Sequence, residues 1–322
     1  MYPYNHKKGQ TIQTNADGVV CDRGFIAHFQ VSATDATAAD TAGIHAAVAC
    51  TTPAKSASAV VKAASSEDDT LTITAPAALG AAANALSVLL TTAEDDTLAV
   101  TADDETATIT IALANTTASK NAAAAVQAAI RLLETVGGVD VSGFTCTAGG
   151  DWNTKAVATG ETEAVPFEGG QTAAPDVITT GITQPSVPRN ITATAGGTAG
   201  DIAAVQVVIE GTNYADEPIT ETLDAFTANT AGTVTGDLAF KTVTKITIPA
   251  HDGTGATTAI GYGEKLGLPY KLSHNTVLAA YRDNVLESTA PTVTTSATAL
   301  ESNTIALGSG LNSKVVDVYL IV

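Results

Sequence analysis

Aromatic side chains make up only 4% of the 322 residues, with one Trp and one Met. Enzymes build their pockets largely from apolar and aromatic side chains, so this scarcity weighs against catalysis. Basic residues are also few. Fifteen Lys and Arg stand against 33 Asp and Glu, giving a formal net charge of −18 and a pI near 4.4. Such a balance excludes wrapping nucleic acid, which needs clustered cations against phosphate, and it opposes adhesion to an anionic membrane. The most apolar run, "AALGAAANALSVLL" (77–90), is too short and too interrupted to cross a bilayer. The opening "MYPYNHKKGQTIQ" has no apolar stretch behind its basic residues and does not read as a signal peptide. Cys21, Cys50 and Cys146 are odd in number and lack a CxxC pair, which fits thiols in a chain made in a reducing cytoplasm.

Recognisable chemical motifs are missing too. "HDGTGATTAIGYGEKLGLP" (251–269) holds five glycines and a lysine. A phosphate loop needs Gly-Lys-Ser/Thr opening a helix, whereas Lys265 follows Glu264 and precedes Leu266, with a Gly and a Pro close behind. The stretch reads as turn, strand and turn, not as a nucleotide site. The acidic "EDDT" clusters lack the EF-hand pattern and read as solvated turns. His6, His28, His45, His251 and His274 form no zinc-type pairing, and no G-x-S-x-G elbow occurs. No cofactor, metal or catalytic residue is therefore expected. Trp152 in "GGDWNTK" reads as a loop anchor ahead of a sugar platform.

What remains is Thr, Val, Ile and Ala, the palette of β-strands. Between Ala63 and Ser119 there is no Lys or Arg, while acids recur; "SSEDDTLTITA" (65–75) is echoed by "TAEDDTLAVTA" (92–102), each an acidic turn feeding an alternating strand. "ETATITIAL" (105–113) continues as a third strand. One helix is predicted near 119–136, with Ser119 or Asn121 as N-cap, Val126, Ile130 and Leu133 on one face, and Gly137–Gly138 as its end. After it, strands predicted at 176–182, 190–196, 203–211, 217–226, 241–250, 275–287, 291–307 and 315–322 follow at antiparallel spacing. The fold class is mainly β. An antiparallel β-sandwich base of 1–53 plus 174–322, with an N-terminal arm 1–25, carries a small acidic α+β domain inserted at 54–173.

"YNHKKGQTIQTNADGVV", "ITQPSVPRNITATAGGTAGDIAAVQVVIEGTNYADEPITETL", "FKTVTKITIPAHDGTGATTAIGYGEKLGLPYKL" and the closing "DVYLIV" resemble virion structural proteins of tailed bacteriophages, of the capsid decoration or head-fibre class. The resemblance covers residues 1–53 and about 174–322. It implies a non-enzymatic protein on the outer capsid surface, bound to the major capsid protein through its base, with the acidic module projecting outward. The class is often trimeric, so a homo-oligomer, first of all a trimer, is expected. The candidate contacts are Tyr2, Tyr4, His6, Lys7 and Lys8 of the basic-aromatic start, with Lys265, Tyr270 and Lys271 of the late strands. One rival is a tail-associated adhesin recognising a host-surface glycan, which would need an exposed aromatic platform. The other is a polysaccharide depolymerase, which would need two carboxylates at fixed separation.

Overall fold

The computed structural model describes residues 25–63, 68–156 and 163–322, and the backbone of a short strand pair, Ile12–Gln13 with Val20–Cys21. The protein is mainly β, with several antiparallel sheets and few helices. The chain divides into two compact units. One comprises Met1–Cys50, Asp176–His251 and Gly255–Val322; the other comprises Thr51–Pro175 with Asp252–Thr254. The sequence boundaries drawn at 53/54 and 173/174 fall within three residues of the main breaks.

The larger unit is built on three sheets. Its longest strand, Ala256–Gly267, lies between Arg189–Gly197 on one side and Asp40–Ala49 and Thr304–Ala306 on the other. The glycine-rich stretch is thus mostly one strand, and its glycines sit inside the strand, not only at turns. The reason is close approach: a Cβ on Gly261 would lie 1.8 Å from the Asp40 carbonyl oxygen, and one on Gly263 would lie 2.6 Å from the Asn190 amide. Asn190 is buried and ties the flanking strands where the register slips. Its Oδ1 accepts from Lys265 N at 3.0 Å, and its Nδ2 donates to Gly236 O at 3.1 Å.

A second sheet, with the order Asp176–Ile178, Thr242–Ile248, Val208–Thr212, Pro218–Thr222, supplies apolar residues to the same core. Ile209, Val243 and Ile246 from it join Ile191, Ala193 and Ile260, with Phe226 and Phe240 filling the space between. Threonines contribute as the composition suggests: the cross-strand hydroxyls of Thr194 and Thr233 meet at 2.8 Å, and those of Thr212 and Thr242 at 2.7 Å. Sequence reading passed over Gly232–Phe240, which pairs with Arg189–Gly197, and over Ser58–Lys62, Ser87–Thr92 and Thr145–Ala148 of the smaller unit.

The third sheet runs Val285–Leu286, Val277–Arg282, Val316–Ile321, Ile26–Val31. The apolar C-terminal segment lies inside it, as its two-faced composition requires. Phe29, Val31, Ala280, Val316, Val318 and Leu320 point to a separate core with Leu266, Leu268 and Ile305.

The smaller unit has its own core. Ser87–Thr92 and Thr108–Leu113 pair in parallel, flanked by Ala99–Asp103 and Val165–Pro166, and a second sheet pairs Ser58–Lys62, Thr70–Thr74 and Thr145–Ala148. The helix is Ala123–Arg131, shorter than the 119–136 expected. It buries Ala123, Val126 and Ile130. Neither Ser119 nor Asn121 caps it. Asn121 is fully buried, with Oδ1 accepting from Ala114 N and Nδ2 donating to the carbonyls of Ala114 and Ala156. Gly137 and Gly138, with φ of +54° and +79°, turn the small hairpin Thr135–Val136/Val139–Asp140 and do not end the helix. A second short helix, Trp152–Lys155, carries Trp152, which is fully buried and donates Nε1–H to Asn121 O at 2.9 Å. Trp152 anchors this unit from inside, so it cannot serve as a sugar platform.

Candidate partner-binding face

Alternation along a strand sends successive side chains to opposite faces, so the third sheet has an outer face that its core does not use. Register places Ile26, His28 and Gln30 on that face, opposite Ile321, Tyr319 and Asp317 of the central strand; Tyr281 pairs with Asp317, and Leu286 pairs with Tyr281. Ile26 is 69% exposed and Leu286 57%. Leu278, extruded at a register shift, lines a rim depression with Leu286, Ala290 and Pro291. Among the described residues, six of the ten large exposed apolar side chains belong to this one sheet: Ile26, Leu278, Val285, Leu286, Tyr319 and Ile321.

The centre of the face is aromatic and polar. The His28 ring stacks on Tyr319 at 4.7 Å and 8°, and Tyr281 meets Tyr319 edge-on at 6.0 Å. Asp317, only 7% exposed, accepts from His28 Nε2 and Gln30 Nε2, both at 2.7 Å and both on Oδ1. A carboxylate only accepts, which fixes the His28 hydrogen on Nε2. Tyr281, Asn284, Asp317 and Tyr319 line a depression of about 250 Å³. Its rim is set by the hairpin turn Asp283–Asn284, both with positive φ (49° and 63°). Asp283 holds the turn by accepting from Val315 N at 2.8 Å and pairing with Lys314; the bond from Lys314 is the main cause that lowers its pKa below the usual carboxylate range.

Of the candidate contacts read from the sequence, Tyr2, Tyr4, His6, Lys7 and Lys8 lie outside the described residues. Lys265 is ion-paired with Asp237 at 2.5 Å, Tyr270 is half-buried against the third sheet's core, and Lys271 is exposed. The other late cations are also matched internally: Lys241 with Asp216, Lys245 with Glu210, and Arg282 with Glu287 and Gly310 O. Among these cations of the described residues only Lys271 is exposed without an ion pair, so Lys265 and its paired neighbours do not form a bare basic patch. Sequence reading missed His28, Tyr281, Asp317 and Tyr319. For Asp317 and Tyr319 a signal was present in "VVDVYLIV", where they are the polar-tipped residues at alternate positions of an apolar strand; for His28 and Tyr281 there was none.

Titratable groups elsewhere hold loops. Asp96 gathers Thr117 and Lys120 side chains and the Thr116 and Thr117 amides, with Thr117 foremost in holding its carboxyl well below the usual range. Burial pushes the Cys146 thiol up to about 12, which leaves it a poor nucleophile. Among the described residues, no group of three or more His, Cys, Asp or Glu side chains is placed to hold a metal ion, and no helix is long and apolar enough to cross a membrane. No protein-family model, curated protein or solved structure matches the chain.

Proposed function

We propose that this chain is a non-enzymatic structural protein of a tailed-phage virion, bound to the outer surface of the capsid through its larger unit. The observation that carries a docking role is the clustering of exposed Ile26, Leu286, Tyr319 and Ile321 on the outer face of the third sheet. Stable protein interfaces have cores enriched in aromatics and depleted of charge, and a concentrated apolar patch on a strongly acidic chain marks a partner site. The resemblance of the flanking sequence blocks to decoration and head-fibre proteins supports the capsid as that partner. The net charge of −18 suits a protein held at high density on a particle, where it keeps neighbouring particles apart.

A second reading, a tail-associated adhesin for a host glycan, draws support from Tyr281 and Tyr319 beside Asp317 and Asn284. Co-sedimentation separates the two. Purified chain is mixed with capsid shells lacking it, and in parallel with host cells. Saturable pelleting with shells, at a copy number fixed by the lattice, supports decoration. Pelleting only with cells, lost on adding soluble host glycan, would sink it in favour of the adhesin.

A further inference from the structure

The depression at the centre of the face has one chemical peculiarity. Both hydrogen bonds to Asp317 fall on Oδ1, so Oδ2 takes no partner among the described residues while Asp317 lines the depression with two tyrosines and Asn284. An open carboxylate oxygen on a largely buried Asp, beside aromatic rings, is a receptor for a cation: the carboxylate accepts its N–H groups and the rings attract its charge. At about 250 Å³ the depression falls below the ~300–1,000 Å³ of ordinary small-molecule sites. It has room for one side chain. The nearest cation along the strands, Arg282, is already held by Gly310 O and Glu287, and Lys314 by Asp283.

We infer that this depression receives an arginine side chain of the docked protein, its guanidinium bonded to Asp317 Oδ2 and lying against Tyr281 or Tyr319. Arginine fits better than lysine because its planar fork both stacks on a ring and bonds a carboxylate edge-on. The chain uses the same chemistry internally, where the Arg189 guanidinium lies 4.4 Å from the centre of the Tyr262 ring. Charge complementarity agrees: a chain of net charge −18, with Lys241, Lys245 and Lys265 matched to its own carboxylates, leaves basic side chains for the partner to supply.

This inference rests on the docking reading, and the test separates them. Asp317→Asn keeps an Oδ1 acceptor for His28 and Gln30 but replaces the open oxygen by a donor. Leu286→Glu places a charge on the apolar rim. Full-length variants are compared for affinity to capsid shells at several salt concentrations. Wild-type chain is also titrated with N-acetylarginine methylamide and, separately, with methyl glycosides, following the Tyr281 and Tyr319 ring signals by NMR. The expected result is a loss of about tenfold or more for Asp317→Asn, with a shallower salt dependence, and saturable shifts with the arginine amide alone. Loss of binding in Leu286→Glu with Asp317→Asn unchanged, or no shift with the arginine amide, overturns the arginine pocket and leaves the face standing. Shifts with a glycoside instead would replace it by a sugar site. Full binding in both variants overturns the face and the pocket together. Should Asp317→Asn fail to fold, the wild-type titration decides alone.

Discussion

At the scale of single residues, two desolvated charged groups, on half-buried Glu221 and buried Arg189, define where this protein is under electrostatic tension. Glu221 accepts from the amides of Asp237 and Leu238 through Oε1, while Oε2 is buried without a partner; burial raises its pKa above the ordinary glutamate value. A raised carboxyl pKa means that the folded state holds its proton more tightly than the unfolded chain. Glu221 therefore contributes stability at pH below its unfolded value and loses it as pH rises through the folded value. Glu221→Gln should gain on the wild type in urea midpoint as pH is raised from about 4 to 8; a constant difference across that range would show that Glu221 is not the titrating group. Among the described residues Arg189, 1% exposed, donates only through Nη1, to Thr37, and its Nε and Nη2 find no partner. Replacing it by Met keeps the packing and removes a desolvated charge, so thermal denaturation should place Arg189→Met within about 1 kcal/mol of wild type, whereas Arg189→Ala, which also opens a cavity, should cost about 2–4 kcal/mol.

At the scale of elements, the strands and the helix were legible wherever side-chain periodicity carried them, and their ends were not. Leu71 and Ile73, read as an alternating pair, are both fully buried. The helix was found by Val126 and Ile130, yet its caps were misread because Asn121 and Gly137–Gly138 serve tertiary needs that local rules do not encode: a buried three-bond bridge and a hairpin turn. The glycines of Ala256–Gly267 are another case, since Gly261 is required by a chain segment more than 200 residues earlier in sequence. The same reasoning explains why the exposed face of the third sheet stayed hidden. Tyr319, Tyr281 and His28 come from three strands, and only the register brings them together. The helix's buried stripe is energetically decisive within its unit. Ile130→Ala should lower that unit's stability by about 2–5 kcal/mol in denaturant melts, while the exposed Leu132→Ala, just past the helix end, should stay within about 0.5 kcal/mol.

At the scale of the whole molecule, two units with separate cores share one chain. The incoming and outgoing segments of the smaller unit run side by side, with Ala174 N bonded to Thr52 O, Lys55 bridged to Gln171 and Ser58 to Glu168. Such a closed neck is the geometry of a module that folds by itself, so a fragment of residues 51–175 should give dispersed NMR signals and a cooperative melt; a collapsed, non-cooperative fragment would contradict this. The larger unit holds the sheet whose outer face is proposed to dock. The most direct measurement is capsid-shell binding of two matched full-length variants, Tyr319→Glu at the centre of the face and Tyr214→Glu, which alters another exposed tyrosine far from it in sequence. The expected result is that Tyr319→Glu loses saturable binding while Tyr214→Glu binds like wild type and both melt alike. Equal binding by both variants would contradict the assignment of the third sheet as the docking surface.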